Sequence, residues 1–169
     1  QDRLNGAPDR QKLADTPTIF RETFNSDSYI IVPRVSSGNR RYIPSGFLND
    51  TVIPTDSAVI IPKATLYHFG ILTSNIHMDW MRVVAGRLEM RYSYFPAVYN
   101  NFLWYEPTPE QKAKIEQTAQ AILDTRAKYP DCSLADLYDE LTMPPELRKA
   151  HHENDFAVMA AYGFDRKIT

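Results

Sequence analysis

Four prolines limit what the first half of this 169-residue chain can fold into. Pro33, Pro44, Pro54 and Pro62 each follow a short run of β-branched or aromatic residues. Because proline has no backbone N–H to donate to a neighbouring strand, such runs predict short strands or edge strands rather than one wide central sheet. The predicted strands are Tyr29–Val32, Tyr42–Ile43, Val52–Ile53 and Ala58–Ile61.

Three further patterns complete the first part of the chain. Leu66–Leu72 is a short apolar run and is predicted as a strand. Thr73–Ala85 has apolar residues at helical spacing behind a Thr73 or Ser74 N-cap, which predicts a helix. Arg87–Tyr94 alternates polar and apolar residues, as a half-buried strand does, and the shared polar face of that strand would carry Arg87, Arg91 and Ser93.

The second part of the chain predicts helices. Thr108-Pro109-Glu110-Gln111 has the residue types of a capping box with proline at the first helical position. Ser133 is a second N-cap candidate, and Pro144-Pro145 begins a third apolar stripe that ends near Gly163. We therefore expect an α+β fold. A small mixed or antiparallel sheet with a helix at about 73–85 occupies residues 1–105, and a helical subdomain of about three helices, packed on the sheet, occupies residues 106–169.

Composition and motifs exclude several classes. The chain is 43% hydrophobic and 24% charged, which is typical of a globular protein. No apolar run reaches the roughly 20 residues of a membrane span. Walker, G-x-G-x-x-G, G-x-S-x-G and H-E-x-x-H motifs are absent, Cys132 has no partner cysteine, and the four histidines lack metal-site spacing. We expect no catalytic or metal site here, and exposed or partly packed histidines.

The beginning of the chain carries its own expectation. It starts at Gln1 without an initiator Met, a basic n-region or an apolar h-region. The absence of a secretory signal predicts a cytoplasmic protein, and the missing Met indicates a piece cut from a longer chain.

The most suggestive polar segment is an acid-free hexapeptide. It consists of Ser36, Ser37, Gly38, Asn39, Arg40 and Arg41. Arg and Asn side chains bind guanine and adenine edges in two-point contacts, serine hydroxyls bind bases or phosphates, and glycine lets a backbone approach a groove. The alternative is an ordinary solvated turn.

A second set of residues is suited to phosphates. Residues 1–105 carry a slight excess of basic side chains, nearly all arginine, whereas the remainder is acidic and the whole chain has a net charge of −2. Arginines contact phosphates without reading sequence, and a helix N-terminus offers backbone N–H donors. The candidates are Arg34, Ser74, Asn75, Arg82, Arg87 and Arg91. A rival interpretation is a protein–protein interaction or structural module in which the arginine strand meets an acidic partner.

Several sequence blocks resemble one known family in order and spacing. The blocks are Leu13–Pro17, Pro33–Ser37, Arg41–Phe47, Leu72–Arg82, Ala85–Leu88, Arg91–Ser93, Tyr99–Phe102, Leu134–Asp139 and Met143–His151. Together they resemble the C-terminal end of the MmeI-like type II restriction–modification enzymes. Asn154 departs from the family pattern, in which an apolar residue fits the helical stripe.

The resemblance implies a function and partners. It makes residues 1–105 the C-terminal part of a DNA target recognition domain, and the rest a helical C-terminal domain. The parent would be an adenine-specific DNA methyltransferase and endonuclease that uses S-adenosylmethionine and Mg²⁺. Its partners would be double-stranded DNA and the upstream methyltransferase and nuclease domains of the same chain. The catalytic N-P-P-Y motif and the cofactor-binding glycine motif are absent from these residues, so the resemblance implies no catalysis within them.

Overall fold

The computed structural model describes residues 8–11 and 27–165. The block Leu13–Pro17 lies outside these residues. The described elements are α1 (Pro8–Gln11), β1 (Ser28–Pro33), β2 (Val35–Ser37), β3 (Gly46–Asn49), β4 (Ala58–Pro62), α2 (Leu66–Leu72), α3 (Asn75–Val84), β5 (Gly86–Leu88), β6 (Arg91–Ser93), α4 (Pro96–Asn100), α5 (Pro109–Arg126), α6 (Leu134–Leu137) and α7 (Pro145–Ala161). The expected α+β class is confirmed.

The strands form two small antiparallel sheets. One has the order β3-β1-β4 and the other has the order β2-β6-β5. The chain passes from one sheet to the other at Arg34, whose N–H donates to the Ser57 carbonyl (2.9 Å) and whose carbonyl accepts from the Tyr94 N–H (2.7 Å). The backbone of Arg34 therefore joins the two sheets.

The prolines do confine the strands, although two strand predictions were wrong. Pro33 ends β1 and Pro62 ends β4, as expected. Neither Tyr42–Ile43 nor Val52–Ile53 is a strand. The segment between them forms β3, which pairs with β1 on the side opposite to β4. Tyr42 and Ile43 owe their burial to side-chain packing rather than to strand pairing, and this is why their apolar character misled the prediction.

The strand predicted for Leu66–Leu72 was also wrong, because this segment is α2. Its run of seven residues is too short for periodicity to distinguish a buried strand from a buried helix. Thr65 is the N-cap, and its N–H donates to Nδ1 of His68 (3.1 Å). Histidine in that role is not the Glu or Gln of the usual capping box, so the local signal was weak.

The helix predicted for Thr73–Ala85 is confirmed as α3, with Ser74 as its N-cap. The strand predicted for Arg87–Tyr94 is instead a hairpin of β5 and β6. The chain reverses at Glu89, which has a positive φ of 55°. The alternation of polar and apolar residues continues through the turn, and the turn contains no Gly, Asn or Pro. Nothing in the sequence pattern therefore indicated that the chain reverses here.

The three predicted C-terminal helices are confirmed as α5, α6 and α7. Thr108 and Gln111 form the predicted capping box of α5, and Ser133 caps α6. These helices do not pack mainly on a sheet as expected, because α5 packs against α2 and α7. One hydrophobic core includes Ile30 and Phe69 together with Ile122 and Leu147, so it spans both parts of the chain. None of the described helices is both long and apolar enough to cross a membrane.

Candidate nucleic-acid interface

The predicted hexapeptide forms the end of β2 and a tight turn. The Arg40 N–H donates to the Ser37 carbonyl (3.2 Å), and the Asn39 N–H donates to the Ser37 hydroxyl (3.3 Å). The Gly38 N–H donates to the carbonyl of Met90 in the β5–β6 hairpin (2.7 Å). We call Ser37–Arg41 the recognition turn. Its contact with the hairpin fixes where the exposed side chains lie.

The contact between the recognition turn and the hairpin requires glycine at position 38, because there is no space for a side chain. A Cβ atom added to Gly38 would lie 2.7 Å from the backbone oxygen of Met90. Atoms at that separation overlap, so any other residue would push the recognition turn away from the hairpin. The glycine therefore serves an approach of backbone to backbone within the chain, which differs from the approach to a DNA groove that its type suggested.

The side chains at the apex of the recognition turn have unused hydrogen-bonding groups. Within the part of the chain that the structure describes, the Asn39 carboxamide and the Arg40 guanidinium have no hydrogen-bond or ion-pair partner. Arg41 is exposed, and its guanidinium lies 5.7 Å from the ring centre of Tyr42. Ser36 differs from these residues, because it is buried with an unpartnered hydroxyl.

A cleft of about 450 Å³ borders one side of the recognition turn. It is lined by Gly38, Asn39, Arg40, Arg41, Asn75, Asp79, Arg82 and Glu140. Both carboxylates in this cleft are paired: Asp79 with Arg82 at 2.7 Å, and Glu140 with Arg148 at 2.9 Å. Among the described residues that line this cleft, no carboxylate remains to pair with Arg40 or Arg41, so the cleft presents positive charge beside the turn.

A smaller cleft of about 100 Å³ borders the other side of the turn. It is lined by Gly38, Asn39, Arg87, Glu89, Met90, Arg91 and Tyr92. Arg87 lies over the Tyr92 ring, 4.8 Å from its centre, and Arg91 forms an exposed ion pair with Glu89 at 3.4 Å. Arg87 pairs with Tyr92 across the hairpin and Arg91 pairs with Leu88. Because neighbouring residues of a strand point to opposite faces, the two arginines do not share one face as predicted, although both border this cleft.

Three of the predicted phosphate contacts lie elsewhere or have donors that are already used within the chain. The Arg34 guanidinium stacks on Phe95 (4.9 Å) and donates to the Asp56 carbonyl (3.0 Å), away from both clefts. The buried Ser74 hydroxyl donates to the Ile71 carbonyl (2.7 Å), while the Asn75 N–H donates to the carboxylate of Asp155 (2.7 Å). The N-terminus of α3 therefore already has an anion, supplied by α7.

Asp155 belongs to a buried polar network that the sequence analysis missed. Its second carboxylate oxygen accepts from the Tyr42 hydroxyl at 2.6 Å. Burial raises the pKa of Asp155 to about 6, and burial beside this carboxylate also raises the pKa of Tyr42. One signal was available: His151, Asn154 and Asp155 fall on the apolar stripe of α7, where polar side chains need buried partners.

The remaining polar residues of that stripe have partners too. His151 is fully buried, and its Nε2 lies 2.7 Å from the Tyr138 hydroxyl. Asn154 donates to the Gly70 carbonyl (2.7 Å) and accepts from the Thr118 hydroxyl (3.0 Å). The departure of Asn154 from the family pattern is therefore accommodated by hydrogen bonds between α2, α5 and α7.

The histidines do not form a metal site. Among the described residues, no group of three or more His, Cys, Asp or Glu side chains could hold a metal ion. The expectation of exposed or partly packed histidines was wrong for two of the four, because His77 and His151 are buried. Burial lowers the pKa of each to about 3, so both are neutral packing residues at physiological pH.

Comparisons with known proteins agree with this architecture. The family model for the MmeI target recognition domain matches residues 1–106, and the model for the MmeI C-terminal domain matches residues 107–169. DNA methyltransferase A of Bacillus subtilis (strain 168) is 42% identical over 153 residues, which are 89% of this chain and 17% of that protein.

A solved structure of the type IIL restriction–modification enzyme MmeI in complex with DNA superposes with a TM-score of 0.91 at 45% identity. The match covers 99% of this chain and 23% of that one. The chain thus spans less than a quarter of the length of either relative. By its family-model matches over both parts, the chain belongs to the MmeI family, with that family's target recognition domain followed by its C-terminal domain.

Proposed function

We propose that this chain is the sequence-specific DNA recognition module of a larger restriction–modification enzyme. The observation that carries the proposal is the recognition turn, which lies between two arginine-bordered clefts and whose Asn39 and Arg40 side chains have no partner among the described residues. Long side chains with free donors, held on a short rigid turn, suit the reading of base edges in a groove. The similarity to MmeI, a protein solved in complex with DNA, supports the same conclusion.

Within this module we assign base contacts to Asn39, Arg40 and Arg41. Ser37 and Gly38 shape the recognition turn rather than touch bases, and Ser36 is buried beneath it. Phosphate contacts are assigned to Arg82, Arg87 and Arg91, which border the two clefts. Arg34 is left out of this assignment because it borders neither cleft, Ser74 because it is buried, and the backbone N–H of Asn75 because it donates to Asp155. The Asn75 side chain still lines the larger cleft.

We divide the chain functionally near Tyr105. Residues 1–105 supply the groove-facing side chains, and residues 106–169 supply the helical C-terminal domain. Support for this division comes from the change in element type and charge and from the adjoining family models. The acidic balance of the helical part disfavours direct contact with phosphates.

For the full protein we propose DNA adenine-N6 methylation coupled to DNA cleavage in a bacterial cytoplasm, where the DNA lies. The names of the two relatives support this parent activity. S-adenosylmethionine would serve the methyl transfer and Mg²⁺ the cleavage. The residues of this chain do not fit either group, since they include no glycine-rich cofactor loop and, where described, no cluster of metal-binding side chains. Both groups would therefore be held by the upstream domains.

The test is selection of duplexes from a randomised DNA library by the full chain, followed by sequencing. A module that reads base edges enriches one defined motif, and its affinity falls steeply as salt rises because phosphate contacts release counterions. Recovery of unselected sequence, or binding to acidic polypeptide as tight as binding to DNA, would instead favour a module that meets an acidic protein partner.

A further inference from the structure

The recognition turn is held at its C-terminal end by a residue of the helical domain. Tyr42 directly follows Arg41 and is 1% exposed, and its hydroxyl donates to the Asp155 carboxylate at 2.6 Å. The other oxygen of that carboxylate accepts from the Asn75 N–H at 2.7 Å. We call these two hydrogen bonds the Asp155 clamp. Through it, one side chain of α7 fixes both the residue after the turn and the start of α3.

Further contacts from the helical domain fix the same segment. The Tyr42 ring stacks on His151 of α7, with 4.1 Å between ring centres and 19° between planes. Arg126 at the end of α5 donates to the Ser45 carbonyl at 2.6 Å. Tyr42 and Ser45 thus lie against α7 and α5, whereas the other end of the recognition turn is held by pairing of β2 with β6.

The Asp155 carboxylate satisfies two donors that an apolar residue on the stripe of α7 would leave without a hydrogen bond. A buried carboxylate is unfavourable unless it is well hydrogen-bonded, so its placement depends on both of these donors. Both partners of Asp155 adjoin the interface: Tyr42 is bonded to Arg41 along the chain, and Asn75 lines the larger cleft. The carboxylate therefore joins two parts of the interface that lie 33 positions apart in the sequence.

We propose that Asp155 is a positioning residue for base readout, so that the C-terminal helical domain takes part in sequence discrimination without touching DNA. Base edges differ in the positions of their hydrogen-bond donors and acceptors. The side chains of the recognition turn must therefore be placed opposite these groups to within a fraction of an ångström. The Asp155 clamp supplies that precision at the end of the turn where strand pairing is absent. This inference rests on the proposed DNA recognition function.

The experiment compares two isosteric substitutions in the full chain. Tyr42→Phe removes one of the two hydrogen bonds of the Asp155 clamp, because it removes the hydroxyl, but it keeps the ring that stacks on His151. Thr118→Val is the matched control. It removes a similarly buried hydroxyl of α5 that donates to Asn154, the neighbour of Asp155 on α7, and this contact lies away from the turn. Each variant is put through the randomised-duplex selection, and its melting temperature and affinity for unselected DNA are measured as well.

We expect both variants to lower the melting temperature, whereas only Tyr42→Phe relaxes base preference, by about fivefold at one or two positions, as loss of one hydrogen bond implies. Affinity of Tyr42→Phe for unselected DNA stays at the wild-type level, because the phosphate-contacting arginines are unchanged. An unaltered motif with Tyr42→Phe, or equal relaxation with Thr118→Val, overturns the inference and leaves the proposed function standing. If wild-type protein enriches no motif, both are overturned.

Discussion

At the scale of single residues, chemistry was easier to predict than orientation. The residue types at Asn39, Arg40 and Arg41 indicated base readout, and the structure places all three on one turn, with Asn39 and Arg41 exposed and Arg40 half-buried. Ser36 and Ser74 have equally suitable hydroxyls but are buried, since one lies on the inner face of β2 and the other caps α3. A serine is small enough to suit either environment, so its type alone does not reveal burial.

Arg87 offers a prediction at this scale. It borders the smaller cleft and stacks on Tyr92, so replacement by alanine removes one of the three arginines that we propose contact phosphates. We expect Arg87→Ala to weaken binding to all duplexes alike and to reduce the slope of log affinity against log salt by about 1. Titrations of selected and unselected duplexes at several salt concentrations measure both effects.

Lys114 supplies the control for this prediction. It is an exposed cation of α5 that borders neither cleft. Lys114→Ala should leave the salt slope at its wild-type value. A change of base preference with Arg87→Ala, in place of a uniform loss, would show that this guanidinium reads bases.

At the scale of elements, prediction succeeded where local capping signals exist. The start of α5 is defined by Thr108, Pro109 and Gln111, which act within four consecutive residues and need no tertiary context. Prediction failed for α2 and for the β5–β6 hairpin. The run at Leu66–Leu72 is helical because it is packed between neighbouring helices, and the reversal at Glu89 is imposed by pairing with β2. Both depend on contacts from distant parts of the chain.

The packing of α2 on α5 can be tested at Gly70. A Cβ atom there would lie 2.6 Å from Cγ2 of the fully buried Ile115 and 3.3 Å from Cβ of Ala119. Because a β-branched side chain in a packed core has little freedom to move, we expect Gly70→Ala to lower the free energy of unfolding by about 1–3 kcal/mol despite alanine's better helix propensity. Urea unfolding followed by circular dichroism measures this.

Gly46 is the matched control, because a Cβ atom added there meets nothing within 4 Å. Gly46→Ala should not destabilise the protein, and should raise the free energy of unfolding by up to about 1 kcal/mol because alanine restricts the unfolded chain. If Gly70→Ala proves as stable as Gly46→Ala, the close approach of α2 to α5 is not as the structure describes.

At the scale of the whole molecule, the two parts are one folded unit. The hydrophobic core combines residues from both, and buried polar contacts such as Tyr42 with Asp155 cross between them. The sequence predicted only that the helical part packs on the sheet, because pairing of buried polar groups from distant segments leaves no local pattern. The structure adds that the helical part holds the recognition turn.

The buried titratable groups predict how stability depends on pH. Burial lowers the pKa of His77 and of His151 from 6.5 to about 3, so each binds its proton only after unfolding as the pH falls below 6.5. Burial raises the pKa of Asp155 from 3.8 to about 6, so the folded chain binds that proton first. Between pH 3.8 and about pH 6, unfolding therefore adds one proton to each of His77 and His151 and releases one proton from Asp155.

These three groups should therefore lower the free energy of unfolding on acidification through this range, by about 1.4 kcal/mol per pH unit. Burial also lowers the pKa of His68 and of His152, which adds to the loss in the same direction. Above the unfolded pKa of histidine these three groups cause no change. Asp155→Asn removes the proton that unfolding releases, so the free energy of unfolding should fall more steeply on acidification in this variant. Urea unfolding at a series of pH values measures these slopes, and a rise in stability on acidification from pH 6.5 would contradict the assignment of two neutral buried histidines.

The central claim is that the recognition turn reads DNA sequence, and Arg40 tests it most directly. Its guanidinium has no partner among the described residues, so removing it should leave the fold intact. In randomised-duplex selection with the full chain, the motif enriched by Arg40→Ala should lose base preference at one base pair and keep it at the others. The lost discrimination against the wrong base at that position should be about 1–3 kcal/mol. A motif identical to the wild-type motif with both Arg40→Ala and Asn39→Ala would show that the turn does not read bases.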